Sequence, residues 1–290
     1  MSATPLTWGG RSIPAPGGLP AVAVSLTGPS LAQARTQAHS AVGAGADVLE
    51  LRVDLLEETG ALAAPEPLDA ATAAAQVLEC LRGLGEIIAA DGADAGAGAP
   101  LLLTCRTAAE GGRAHLDDAA YGALLRSVLD GLTDWTPERR PAAIDVEVQR
   151  GCLPQICAQA HALDIDVVAS FHDFEATPAD EALEEVLARM AREGADLAKI
   201  AVWPTGADDV ARLLGVCARA TAGAGEGTGL GVPVAAMSMG ALGAVSRVAP
   251  AFGSALTFAV VPDAQGETQA SAPGQLPIQD VRRCLELLRV

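Results

Sequence analysis

The stretch DVLELRVD, residues 47–54, decides how the chain folds. Read with the two-residue period of a strand, Leu49, Leu51 and Val53 share one face, and Glu50, Arg52 and Asp54 share the other. The same division recurs down the chain. In LLLTCRT (101–107), Thr104 and Arg106 oppose Leu103 and Cys105. In AAIDVEV (142–148), Asp145 and Glu147 oppose Ile144, Val146 and Val148. In DVVASFHDF (166–174), Ser170 and His172 fall together, and in LAKIAVW (197–203) Lys199 stands between apolar neighbours. AVAVSLTG (21–28), PVAAMSM (233–239) and SALTFAVV (254–261) complete a set of eight strand-like runs.

Alanine-rich helical stretches separate the strands. One is SLAQARTQAHSAVGAG, with Ser30 as N-cap and Gly43 or Gly45 near its end; another is TPADEALEEVLARMAREG, opened by Pro178 and closed by Gly194. Strands of a parallel sheet covered by helices turn their apolar face outward. The polar faces must then line a lumen, with their C-terminal members at the mouth, where barrel active sites lie. The expectation is an α/β protein, a (β/α)₈ TIM barrel occupying residues 1–290 as a single domain. A doubly wound open sheet is the alternative, but no GxGxxG follows the first strand. ADGADAGAGAP (90–100) and TAGAGEGTGLG (221–231) read as Gly/Ala surface loops.

The chain has 290 residues and a net charge of -17, which argues against nucleic acid or an anionic membrane as partner. No apolar run is long enough to span a bilayer. The N-terminal MSATPLTWGGRSIPAPGG shows neither a basic n-region nor an apolar h-region, and the six cysteines form no CxxC pair. A cytoplasmic protein with reduced cysteines is expected. None of His39, His115, His161 and His172 pairs with another ligand at metal spacing, so no metal is expected.

Of the 19 basic residues only Lys199 is a lysine, and it sits in a run that reads as a buried strand. A guanidinium keeps its proton in a protein, whereas a lysine amine can lose it and act as a nucleophile. An amine in an apolar wall with a histidine on the neighbouring strand is the equipment of a Schiff-base enzyme. The iminium serves as electron sink, the histidine moves protons near neutrality, and nearby arginines can hold an anionic or polyhydroxylated substrate. A structural ion-pair network is the competing explanation for such a lumen.

VLELRVD, TCRTAAEGG, ASFHDFEATP, ADLAKIA, AMSMGALGAVSR, FGSALTFA and SAPGQ resemble, in order and spacing, the type I 3-dehydroquinate dehydratase family. The resemblance implies a hydro-lyase of the shikimate pathway, serving aromatic amino acid and chorismate biosynthesis. It implies a cofactor-free homodimer that converts 3-dehydroquinate to 3-dehydroshikimate by syn elimination. TWGGRSIPAPGGLP then resembles the strand pair closing the barrel floor, so residues 1–20 form a floor segment. By the same resemblance Lys199 is the Schiff-base lysine, His172 the general acid/base and Glu110 its carboxylate partner. Arg247 binds the substrate carboxylate, and Glu50, Arg52 and Arg106 hold ring hydroxyls and shape the pocket. Met237, Met239 and Ser25 line it, and Ser271 and Gln275 belong to a lid preceded by an extended loop at 262–270. A Schiff-base aldolase or transaldolase on the same barrel is the alternative; it requires a phosphate nest at the last strands, where SAPGQ stands instead.

Overall fold

The computed structural model describes residues 4–64, 69–95, 99–222, 229–262 and 269–289. After a hairpin of β1 (Leu6–Trp8) and β2 (Arg11–Ile13), strands and helices alternate. They are β3 (Ala21–Leu26), α1 (Leu31–Gly43), β4 (Val48–Arg52), α2 (Ala70–Ala95), β5 (Leu101–Thr104), α3 (Asp118–Gly131), β6 (Ala143–Glu147) and α4 (Leu153–His161). There follow β7 (Asp166–Asp173), α5 (Asp180–Arg192), β8 (Leu197–Val202), α6 (Ala207–Thr221), β9 (Val234–Ser238), β10 (Leu256–Val260), the short β11 (Leu276–Pro277) and α7 (Ile278–Leu287).

The main sheet runs β11-β10-β3-β4-β5-β6-β7-β8-β9, every pair parallel. It curls until its far edges meet at Ala255. The Ala255 N–H donates to Val234 C=O at 2.7 Å, while its own carbonyl accepts from Ala21 N–H at 2.9 Å, so one residue bridges β9 and β3. The result is the expected eight-stranded α/β barrel.

Alternation sorts the side chains as the sequence requires. Val22, Leu49, Leu51, Leu103, Ile144, Val167 and Ile200 join the cluster beneath the helices, together with Cys105. A second cluster fills the lower lumen with Ala21, Ala23, Val48, Leu102, Ala143, Val168, Leu197, Ala235 and Leu256. Trp8 and Ile13 of the hairpin belong to that inner cluster and are 1% and 0% exposed, so the N-terminal pair seals the floor. Trp8 Nε1 also donates to Asp166 Oδ2 at 2.7 Å, giving the indole its polar partner.

Several local expectations hold and others need correction. Ser30 caps α1 by accepting from Gln33 N–H, and Gly194 takes the left-handed conformation after α5. Pro178 lies ahead of α5, whose N-cap is Ala179, so the proline precedes the first turn. The stretch 90–100 is not all loop: α2 continues to Ala95, because alanine's helix propensity outweighs an isolated glycine, and residues 96–98 lie outside the described residues. Most of 221–231 and of 262–270 also lies outside them. Between β9 and β10 two 3₁₀ segments, Ala244–Val248 and Pro250–Phe252, stand where a barrel ordinarily places an α-helix; Pro250 cannot continue a helical ladder from the first segment.

Because the lumen is closed from below by one large side chain, Trp8→Ala is expected to destabilise the fold by about 3–5 kcal/mol, the usual cost of removing a fully buried aromatic. Denaturant unfolding measures this; a loss below about 1 kcal/mol would mean that the hairpin only rests on the floor.

Candidate active site

Above the apolar floor the lumen turns polar, one layer per two residues. Ser25 lies beside Glu50, Arg52 beside Thr104, Glu147 beside Ser170, and Ser170 beside Lys199, in the register of neighbouring strands. Lys199 is 4% exposed. Its Nζ donates to Asp145 Oδ2 at 3.3 Å, lies 3.7 Å from Glu50 Oε1 and sits 4.6 Å from the centroid of the Phe258 ring. The charged groups in direct reach of the amine are thus two carboxylates and not the arginines.

Arg106, one strand over from Asp145, is wholly engaged. Nη2 donates to Asp145 at 2.7 Å, and Nη1 to Ser170 at 2.9 Å, Glu147 at 3.1 Å and Glu110 at 3.3 Å. Burial works against its charge, but Asp145, Glu110 and Glu147 hold its pKa well above the ordinary arginine value. Arg52 gives Nε and Nη2 to the two oxygens of Asp54, each at 2.8 Å.

His172 Nδ1 lies 2.8 Å from Glu110 Oε2. Burial, with the cations Arg106, Lys199 and Arg52, holds the imidazole well below the usual histidine range. Burial also pushes Glu110 up to about 8; Arg106 pulls it down, while Glu147 and Asp145 add to the rise. Below that pH the pair is neutral, with the carboxyl proton donated to Nδ1 and the other ring proton on Nε2. When the pair loses a proton, Nδ1–H donates to the carboxylate and the Nε2 lone pair becomes free to act as a base.

Arg247 differs from Arg52 and Arg106. It is 2% exposed, and among the described residues its fork reaches only carbonyls, Nη2 to Pro273 at 3.1 Å and Nη1 to Phe258 at 3.4 Å, while Nε has no partner there. Burial without a carboxylate lowers its pKa to about 10. A buried guanidinium lacking an anion is costly unless a ligand supplies one.

The lid residues lie against the strand ends. Gln275 Nε2 donates to Ser271 Oγ at 2.9 Å, Ser271 Oγ to Ser25 Oγ at 2.8 Å, and Ser25 Oγ to Glu50. Gly274 has φ +82° and its missing Cβ would stand 2.2 Å from the Gly240 carbonyl, so only glycine allows this approach.

Glu50, Arg52, Arg106, Glu110, His172, Lys199, Met237, Arg247, Ser271 and Gln275 border one cavity with about 470 Å³ of empty space. Two expected lining residues do not reach it. Met239, directly after β9, is fully buried in the inner cluster, and Ser25 stands behind Glu50. Phe174 and Phe258 do line it and were not anticipated as site residues. The signal was available: Phe174 continues the polar face of ASFHDF two residues beyond His172, and its ring stacks on the imidazole at 6.4 Å. Asp145, Glu147 and Ser170 were visible on that face, but their part in binding Arg106 required the fold. Among the described residues no group of three or more His, Cys, Asp or Glu is arranged to hold a metal ion, and no helix is long and apolar enough to cross a membrane.

Against known families, residues 22–290 match the family described as Type I 3-dehydroquinase. The chain belongs to the type I 3-dehydroquinase family. A 3-dehydroquinate dehydratase of Klebsiella pneumoniae is 36% identical over 271 residues, covering 92% of each chain. One from Lactiplantibacillus plantarum is 36% identical over 275 residues, covering 93% of each. Among solved structures, the 3-dehydroquinate dehydratase of Geobacillus kaustophilus superposes with a TM-score of 0.79 at 29% identity, covering 99% of this chain and 97% of that one. The type I enzyme of Clostridium difficile, solved with covalently modified comenic acid, gives 0.79 at 28% identity, covering 99% and 98%. The chain is therefore an enzyme of the hydro-lyase class, and its barrel is the barrel of this family.

The proton held between His172 and Glu110 gives a measurable signature. The imidazole ¹⁵N signals should change as the pair loses its proton near pH 8, and Glu110→Gln should remove that transition, leaving a neutral ring down to well below pH 6.5. A single transition near 6.5 in both proteins would show that the two groups titrate independently.

Proposed function

We propose that this chain, acting as one barrel domain over residues 1–290, dehydrates 3-dehydroquinate to 3-dehydroshikimate through an imine on Lys199. One observation carries the reading. A single cavity brings together the only amine side chain of the protein, a neutral His172–Glu110 pair and a buried Arg247 with no carboxylate partner among the described residues. A keto acid supplies the ketone for the first group, the protons for the second and the carboxylate for the third.

The steps follow from that placement. The Lys199 amine adds to the substrate ketone, and loss of water from the carbinolamine gives the iminium, with His172 moving the protons. Having given its Nε2 proton to the departing carbinolamine water while Nδ1 takes the Glu110 proton, His172 then uses the freed Nε2 lone pair to take the C2 proton, and the electron pair passes into the C=N bond as an enamine. The enamine returns its electrons to expel the neighbouring hydroxyl, which leaves as water with the proton from His172. Hydrolysis of the conjugated imine restores Lys199 and frees the product. Asp145 and Glu50 hold the amino end of Lys199 in the lumen, and Arg106 fixes Asp145. Arg247 pairs with the carboxylate, while Glu50 and Arg52 face the ring hydroxyls. Ser271 and Gln275 cover the ring once it is bound, excluding water that would hydrolyse the imine early. The covalently modified comenic acid of the C. difficile relative is compatible with an active-site nucleophile of this kind. Family membership also supports a cytoplasmic homodimer, which sedimentation equilibrium tests for the oligomer.

Two measurements examine the roles separately. Borohydride with substrate or product should add one ligand mass at Lys199 alone, and Lys199→Arg should abolish turnover, since a guanidinium is no nucleophile. Retained turnover in that variant would end the imine reading. Arg247→Ala should raise KM by an amount corresponding to about 2–5 kcal/mol, typical of breaking a desolvated charge pair, and Arg247→Lys should fall between. An unchanged KM in Arg247→Ala would place the carboxylate elsewhere.

A further inference from the structure

Asp54 shares the polar face of DVLELRVD with Glu50 and Arg52, yet the mechanism above gives it no task. It does not border the cavity and is 4% exposed, on the 3₁₀ turn Val53–Leu55 that follows β4. Its carboxylate nevertheless accepts four N–H groups. Arg52 contributes Nε to Oδ1 and Nη2 to Oδ2, both at 2.8 Å. The backbone N–H of Arg106 reaches Oδ1 at 3.1 Å, and that of Arg113 reaches Oδ2 at 3.1 Å.

The two backbone donors stand at the two necks of one loop. Beside them Ala114 N–H returns to the Arg106 carbonyl at 3.2 Å, and within the loop Gly112 N–H returns to the Thr107 carbonyl at 2.8 Å. At Gly112 a Cβ would meet the Arg106 carbonyl oxygen at 2.1 Å, so the loop has no room to slide. Both carboxylate oxygens are thus fixed by backbone, and the remaining lone pairs point at the side of the Arg52 fork. A planar guanidinium bound on two adjacent nitrogens to a fixed carboxylate has one orientation left. That orientation leaves its other edge toward the cavity, which Arg52 borders.

We propose that Asp54 is a positioning residue for substrate binding: anchored by the amides of Arg106 and Arg113, it sets the direction in which Arg52 meets the substrate. The assignment rests on the dehydratase reading above and adds to it. Asp54 touches no reacting atom; it acts on binding through Arg52 and leaves the imine chemistry at Lys199 intact. Its consequence is a split between the kinetic constants that a purely structural residue would not produce. Loss of a well-directed hydrogen bond from a charged group weakens binding by about 10- to 10²-fold.

The test is steady-state kinetics of the full chain with 3-dehydroquinate. Asp54→Asn removes the charge and one acceptor; KM should rise about 10²-fold with kcat within about threefold of wild type. In an Arg52→Gln background the same substitution should change KM by less than about threefold, because its target is gone. Asp54→Glu keeps the charge and displaces the fork by one methylene; it guards against failure of the other variants to fold and should raise KM about tenfold at unchanged kcat, the smaller loss expected when the charge pair is kept and only its geometry is disturbed. An unchanged KM with kcat falling in step with the folded fraction, measured by circular dichroism, would overturn the proposal. So would an equal effect of Asp54→Asn with and without Arg52. Absence of turnover in the wild type would instead bring down the dehydratase reading, and this assignment with it.

Discussion

Arg106 is the interaction on which the upper lumen depends. A guanidinium that is 3% exposed must be repaid in hydrogen bonds, and it receives them from Asp145 and Glu147 on β6, Ser170 on β7 and Glu110 on the loop after β5. Each acceptor then has a second duty. Asp145 takes Lys199, Glu110 takes His172, and Glu147 takes both Thr107 groups and the Arg150 Nε. Buried ion pairs of this kind add little net stability, since desolvation offsets attraction. What they provide is a fixed arrangement of an amine and an imidazole within one small cavity, set before substrate arrives.

The environment assigns the acids different states. Asp145 is held down: burial alone would raise it, but Arg106, Lys199 and the Ser170 hydroxyl hold its pKa below the ordinary value. Glu110 shares Arg106 with it, yet burial pushes it up to about 8, with Glu147 and Asp145 adding to the rise against the pull of Arg106. Two carboxyls bonded to the same guanidinium thus divide into a permanent counter-ion and a proton carrier. The molecule carries a net charge of -17, but Arg52, Arg106, Lys199 and Arg247 all border the same cavity, so an anion meets positive groups only at short range.

The sequence by itself determined the barrel and the chemical content of its lumen. Period-two alternation put Glu50, Arg52, Arg106, Asp145, Glu147, Ser170, His172 and Lys199 on inward faces, and strands of a helix-covered parallel sheet leave charged faces nowhere else to go. Its boundaries were less legible, because the segments Val53–Leu55 and Ala108–Glu110 after the strands curl into short 3₁₀ turns that neither the strand nor the helix period marks. Which acid belongs to which base was decided only in three dimensions. Asp54 meets the amide of Arg106 across 52 positions, and Lys199 meets Asp145 across 54. Inward direction is a local property of the backbone, whereas a partner in a closed lumen depends on strand stagger and on how the sheet closes at Ala255. The same holds for Arg247, whose lack of an acidic partner among the described residues is a fact about its surroundings and so could not be read from its own stretch of chain.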